Sequence, residues 1–276
     1  MLAINSDFHG TGRNSADIRE SLAKIARAGF SHVHWCHEWT GSYIYSVHEM
    51  HQIREWRDQA GLAVKGVHAS AGEYQSDLKD YTSSNEHNRL AGVELVKNRI
   101  DLAHILDAGD IVLHFYPQDS LFQKAMLSFN ELEPYCKDRG IRICIENAFE
   151  IAPADSRYIF DTLFKTYDSE FMGLCFDTGH ALMACKENAL EYAERYNDRI
   201  FMIHLHDNHG EHDEHLIPFE ARFNWDAFAP ILARSPYSLP AVIESIYKGN
   251  GNEQDWLQKA RVAGSRFSEM IQKYQN

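Results

Sequence analysis

The sequence predicts an α/β fold closed as a single (β/α)8 barrel over residues 1–276, and three observations lead there. Short β-rich apolar segments alternate with longer stretches of helical period along the whole chain, the pattern of a parallel sheet with crossover helices. Eight such pairs fit within 276 residues, the usual size of such a barrel. No Pro/Gly/Ser-rich linker or break in composition marks a second domain. A doubly wound open sheet is the alternative, but there is no G-x-G-x-x-G after the first strand and no G-x-x-x-x-G-K-[ST] to hold a nucleotide phosphate.

In chain order the strands are expected at Leu2–Asp7, His32–Glu38, Val64–Ser70, Asp110–Pro117, Arg142–Ala148, Gly173–His180, Arg199–Asp207 and Pro240–Tyr247. After the first strand, Ile18, Leu22, Ile25 and Ala26 share one helical face, with Ser15 as the N-cap and Gly29 as the stop. Leu90, Val93, Val96, Ile100 and Ala103 repeat that spacing before the fourth strand. The last segment sets Leu257, Ala260, Gly264, Phe267, Ile271 and Tyr274 on one face.

Composition narrows the function classes. Hydrophobic residues are 44% and charged residues 24% of the chain, which excludes disordered and collagen-like classes. With 27 Lys plus Arg against 40 Asp plus Glu, the net charge of -13 repels polyanions, so nucleic acid is a disfavoured partner. No apolar run approaches the ~18 residues that cross a bilayer, and the N-terminal MLAINSDFHG lacks a basic n-region. The five cysteines are odd in number, widely spaced and free of any C-x-x-C, which fits reduced thiols in a cytoplasmic protein. The sequence leaves room for a homo-oligomer.

In a barrel, chemistry sits at the C-terminal ends of the strands, so the residues carried there are the test. Strand three ends with His68, strand four with His114 and strand five with Glu146. Strand six carries Asp177 and then His180, strand seven His204 and His206, and strand eight Glu244. The loop after strand seven adds Asp213 and His215. Imidazole and carboxylate without thiolate is the donor set of a catalytic divalent-metal site, Zn2+ or Mn2+ first, with Mg2+, Co2+, Ni2+ and Fe2+ as further candidates.

Each residue also has a bland explanation. A single strand-end histidine such as His68 or His114 is commonly a hydrogen-bonded rim residue. Asp177 in CFDTGH can serve only as a helix cap. Glu146 and Glu244 resist this, because each follows an apolar strand core, ICI or AVI, where an unpaired carboxylate is costly. His204 and His206 share a strand face, and His204 is the favoured ligand. His209 and His212 read equally well as parts of a solvated loop and stay outside the site. His9, Trp35, His37, Trp39 and Tyr116 lie near the rim and offer walls for a sugar pocket, although core packing explains the tryptophans equally well.

These motifs, IEN at 145–147, DTGH at 177–180, HLHD at 204–207, DEH at 213–215 and IES at 243–245, occur together and in order. In this the chain resembles the xylose isomerase-like TIM barrels, which include sugar isomerases and epimerases, inosose-processing enzymes and endonuclease IV. The resemblance spans essentially the whole chain. It implies that Glu146, Asp177, His204 and Glu244 hold one divalent metal, that Glu146 and Glu244 exchange a proton beside a carbonyl through a metal-stabilised enediolate, and that His180 binds a substrate oxygen. The implied activity is isomerisation or epimerisation of a sugar, keto-inositol or sugar phosphate, a small carbohydrate-like substrate.

Endonuclease IV-like members use a three-metal cluster, and His68, His114, Asp213 and His215 match its additional ligands. A multi-zinc phosphoesterase is therefore the alternative, and a non-catalytic metal- or sugar-binding barrel a second one. The sequence departs from the family at LIPFEARFNWDAF, residues 216–228, where many relatives carry a glycine-rich turn, so the substrate is left open.

Overall fold

In a computed structural model, which describes residues 1–10, 18–37, 43–69, 79–115, 122–149, 151 and 153–275, eight parallel strands form the predicted barrel. They are β1 (Leu2–Asn5), β2 (His32–Trp35), β3 (Ala63–Ala69), β4 (Asp110–Leu113), β5 (Arg142–Glu146), β6 (Met172–Asp177), β7 (Ile200–His204) and β8 (Ala241–Ile243). The ladder runs from β7 through β6, β5, β4, β3, β2 and β1 to β8. It closes beyond the end of β7, where Leu205 N–H donates to Val242 O at 2.9 Å and Glu244 N–H donates to Leu205 O at 3.0 Å.

The helices are α1 (Ile18–Arg27), α2 (Val47–Ala60), α3 (Glu86–Ile105), α4 (Phe122–Arg139), α5 (Pro153–Thr166), α6 (Thr178–Cys185), α7 (Glu191–Arg195), α8 (Trp225–Ala233) and α9 (Glu253–Gln275). Local chemistry sets several of their ends. Ser46 and Glu49 form a reciprocal capping box before α2, which stops at Gly61 in the left-handed region at φ 69. Asn85 caps α3 and Asn224 caps α8 through side-chain oxygens. In α1, Ile18, Leu22 and Ile25 are buried as expected, and Gly29 follows at φ 89. The Ser15 cap lies outside the described residues, as do Trp39, Tyr116 and the predicted strand ends at Glu38, Ser70 and Pro117.

Two expected faces reach too far. Leu90 and Tyr274 are exposed: in α3 the buried face runs through Arg89, Gly92, Val93 and Val96 and leaves Leu90 to one side, and Tyr274 lies in the last turn of α9, beyond Ile271. Strand six also ends earlier than expected, at Asp177 rather than His180, because the Asp177 carboxylate accepts the His180 N–H at 2.6 Å and starts α6.

The apolar material divides in two. The larger core fills the layer between sheet and helices. A smaller cluster inside the barrel comprises Ala3, Val112, Cys144, Cys175, Met202 and Val242. Side chains alternate along a strand, so two residues further on the same face turns inward again. Those residues are Asn5, His114, Glu146, Asp177, His204 and Glu244, and the apolar floor therefore carries a polar layer at the C-terminal mouth. The five cysteines are free thiols. Among the described residues, no helix is long and apolar enough to cross a membrane.

Candidate metal centre

Every predicted ligand except the two on the strand-seven loop projects from a strand end or the residues just after it, and the loop brings those two to the same mouth. Glu146 is the hub. Its Oε1 lies 2.9 Å from His204 Nδ1, and its Oε2 lies 3.0 Å from His114 Nε2 and 3.5 Å from His68 Nε2. His204 Nδ1 also stands 3.0 Å from Glu244 Oε2, and Asn5 Nδ2 donates to the other Glu244 oxygen at 3.2 Å. The second group forms around Asp177 and Asp213. His206 Nε2 is 3.0 Å from both Asp177 oxygens, and His180 Nε2 and His215 Nε2 lie 3.6 and 2.8 Å from Asp213 Oδ2. His180 Nδ1, 3.5 Å from Glu146 Oε1, bridges the two groups.

The favoured four-residue set is thus brought together unequally. Asp177 Oδ2 is 4.0 Å from His204 Nδ1, further than it is from His206, so the strand-seven histidines serve different groups. Asp177 is both helix cap and site residue. The glycine of DTGH has a local reason: a Cβ on Gly179 would stand 1.9 Å from His206 Cε1, so only glycine lets that ring lie against the first turn of α6.

Electrostatics follow from burial and pairing. Burial works to raise the Glu146 and Glu244 pKa values, but the His204 charge, with His114 at Glu146 and His68 at Glu244, holds both carboxyls well below the usual range. Burial opposes the charged form of His204, yet Cys175, Glu244 and Glu146 lift it well above the ordinary imidazole value. Burial likewise opposes a charged His180, but Asp177, Asp213 and Glu146 raise it to about 10. Burial also opposes a charged His215, but the hydrogen bond and charge of Asp213, together with Glu244, raise it to about 9. Asp213 is held far below its normal value, against burial, by His180 and His215.

The residues present fit a divalent cation. Donor atoms of His68, His114 and Glu146 lie within 4.8 Å of one another, as do those of His68, His204 and Glu244, and those of His206, Asp213 and His215. Donors sharing one zinc ion at about 2.0–2.1 Å stand roughly 3 Å apart, close to the separations around Glu146. Asp213 Oδ1 is a buried oxygen that accepts no hydrogen bond, a costly state that a cation relieves, and Glu146 Oε2 faces the His114 and His68 ring nitrogens at 3.0 and 3.5 Å.

Outer contacts hold these groups in place. Asn147 clamps the Asp177 backbone, accepting its N–H at 2.8 Å and donating to its O at 3.0 Å, while its own carbonyl faces His180 Nδ1 at 3.1 Å. Thr178 Oγ1 donates to His206 O and accepts His206 N–H at 3.1 Å. The buried Asp207 carboxylate accepts the N–H groups of Asn208, Ala221 and Phe223 and the Trp225 indole N–H, at 3.0 to 3.1 Å. It pins both sides of the loop carrying Asp213 and His215.

Asn5, His34, Asn147 and Cys175 also belong to this region and were not singled out by the sequence. Period-two alternation through IEN, CFD and the first two strands is the signal that leads to Asn5, His34 and Cys175. Of the suggested sugar-pocket walls, Trp35 is buried in the outer core against Tyr45, and His37 hydrogen-bonds Ser6. His9 faces Glu253 at 3.6 Å. A cleft of about 900 Å3 lies beside α6 and includes His209, Gly210, Arg222 and Phe223, but none of the clustered ligands. Arg222 belongs to that cleft.

Fold and site together define a (β/α)8 barrel with a buried His/Asp/Glu cluster at its C-terminal mouth. The chain belongs to the xylose isomerase-like TIM barrel family, whose model matches residues 22–264. It is 33% identical over 279 residues to the protein y4fM of Sinorhizobium fredii, covering 92% of this chain and 89% of that one. Among solved structures it is similar to a D-tagatose 3-epimerase-like protein, with 23% identity, 99% and 98% of the chains covered and a TM-score of 0.73. It is also similar to an L-ribulose 3-epimerase, with 13% identity, 99% and 95% coverage and a TM-score of 0.76.

Proposed function

We propose that this chain is a divalent-metal-dependent isomerase or epimerase of a sugar, keto-inositol or sugar-phosphate substrate. One observation carries the reading: Glu146 and Glu244, from strands on different sides of the barrel, both reach His204 Nδ1, at 2.9 and 3.0 Å, and both are held ionised. The similar folds of the D-tagatose 3-epimerase-like protein and L-ribulose 3-epimerase support it. Glu146, Asp177, His204 and Glu244 would hold the ion, Zn2+ or Mn2+ by donor type. When bound, the ion supplies Lewis-acid polarisation of substrate oxygens.

The chain's own groups do the proton work. One carboxylate, ionised, takes a proton from the carbon beside a carbonyl, while the opposite one must have taken up a proton on substrate binding and delivers it to the other face of that carbon, so the pair ends with its protonation states exchanged. His180, buried and turned toward Asp213 and Glu146, holds a substrate oxygen in place. The test is deuterium incorporation from heavy water into ketose and inosose candidates by the metal-loaded protein. Glu146→Gln should abolish that exchange while preserving the fold, because it removes a base with little change in shape. Full exchange by the variant would refute the role given to Glu146.

A second reading is favoured by the ring nitrogens of His68 and His114 on Glu146 Oε2 and by the separate His206, Asp213 and His215 group. It is a multi-zinc phosphoesterase of endonuclease IV type acting on a small phosphate ester. Elemental analysis of protein purified without chelator separates the two: about one ion per chain supports the isomerase, and about two or three zinc ions support the hydrolase.

A further inference from the structure

His204 presents its two ring nitrogens to different surroundings. Nδ1 faces Glu146 and Glu244, while Nε2 points away from them and lies 3.2 Å from Nε2 of His34 on β2. Both rings are fully buried, with centroids 4.9 Å apart and planes inclined at 60°. The register delivers this meeting: Asn5 on β1 pairs with His34, which pairs with Gly66 on β3, so His34 enters the same inward layer as the ligands. A Cβ on Gly66 would stand 2.4 Å from Met202 Cε and 3.3 Å from His34 Nδ1, so glycine there chiefly makes room for the apolar floor beneath that ring.

Two facing imidazole nitrogens bond only if one carries the proton and the other a lone pair. A histidine that offers Nδ1 to a cation must keep its proton on Nε2, and the partner of that N–H fixes tautomer and ring orientation. Here the partner is another neutral ring. A carboxylate in that place would add negative charge to a pocket already holding Glu146, Asp177 and Glu244, whereas an imidazole orients the ligand without adding any.

We propose that His34 is a positioning residue that accepts the His204 Nε2–H and thereby presents His204 Nδ1 to a divalent cation between Glu146 and Glu244. The inference rests on the reading of this cluster as a metal site. Its test uses the full chain stripped of metal, with His34→Phe, which fills the space without an acceptor, and His34→Gln, whose amide oxygen restores one. Zinc affinity is measured by competition with a chromogenic chelator, alongside thermal unfolding. Loss of such an outer partner weakens metal binding about 10–100-fold. His34→Phe should fall in that range, and His34→Gln should stay within a few-fold of the parent.

Nitrogen-15 imidazole spectra of the zinc-loaded parent need no variant, and should place the metal on His204 Nδ1 and the proton on Nε2. A folded His34→Phe that binds zinc as tightly as the parent overturns the proposal. So does a His34→Gln as weak as the phenylalanine variant, or a zinc-loaded parent with the His204 proton on Nδ1. Failure of the parent to bind any divalent ion removes the metal reading itself, a distinct result.

Discussion

Replacing Gly179 by alanine should act almost entirely through His206. The added methyl would lie 1.9 Å from Cε1, 2.5 Å from Nδ1 and 2.6 Å from Nε2 of that ring. Carbon atoms pack at about 3.5–4.0 Å, so the ring must retreat by roughly 1.5–2 Å. It cannot take its backbone with it, because Thr178 Oγ1 bonds both the N–H and the carbonyl of His206. A retreat of that size breaks the 3.0 Å contacts to Asp177 and the 4.1 Å stacking on His215. Overpacking costs about 1–3 kcal/mol, and a lost charge-assisted hydrogen bond about 1.5–3 kcal/mol. Alanine's better helix propensity returns about 1 kcal/mol. The expected net loss is about 1.5–5 kcal/mol, read by urea unfolding of the metal-free protein. In a His206→Ala background the same substitution should be neutral or slightly stabilising, because the obstructing ring is gone. Equal stability of Gly179→Ala and the parent, or an equal loss in both backgrounds, would refute the steric reasoning.

Three further outcomes are expected. His114→Ala should leave proton exchange within about 100-fold of the parent if one ion does the chemistry, since outer partners of a site typically weigh about 10–100-fold; collapse of activity together with loss of a bound ion would favour the phosphoesterase. Burial raises the Asp7 carboxyl to about 6, against the His9 backbone N–H. Its folded pKa exceeds the unfolded one, so stability is greatest below the unfolded value and falls as pH rises through about 6. Asp7→Asn should therefore stabilise the protein at pH 8 by about 1–3 kcal/mol, and an unchanged urea midpoint there would contradict this. In the metal-free protein His180 and His215, raised to about 10 and 9, contribute stability that is complete below the ordinary 6.5 and lost as pH rises through those values. A metal that takes these rings as neutral ligands should flatten the decline, as pH-dependent melting with and without zinc would record.

Much of this was legible because the barrel translates strand ends into one place. Glu146 and Glu244 stood out after apolar runs, and both occupy the inward layer. The role of Asp177 was less accessible: the same carboxylate caps α6 and faces His206, so a capping signal and a site signal coincide on one residue. His34 escaped notice because strand two carries histidine at 32, 34 and 37, and only the pairing of His34 with Asn5 decides which of them turns inward. Leu90 and Tyr274 obey helical spacing, yet periodicity does not fix which edge of an apolar stripe is covered or how far along the helix the cover extends. The different duties of His204 and His206 needed distances, since both share one strand face.

Asp207 has a consequence for how such a protein can diversify. One carboxylate gathers amides from Asn208, Ala221 and Phe223 and the Trp225 indole, and its backbone pairs with Leu216, so the loop is fastened at its base as well as through Asp213 and His215. Residues 209–212 and 217–220, which carry none of the clustered side chains, can be exchanged while the base and the Asp213–His215 pair stay in place. Surface loops carry specificity while rigid elements carry geometry. Substitutions or small insertions at the tips of these segments can reshape what enters the barrel mouth while the ligand layer inside keeps its spacing, so new substrate preference and old chemistry can be inherited separately.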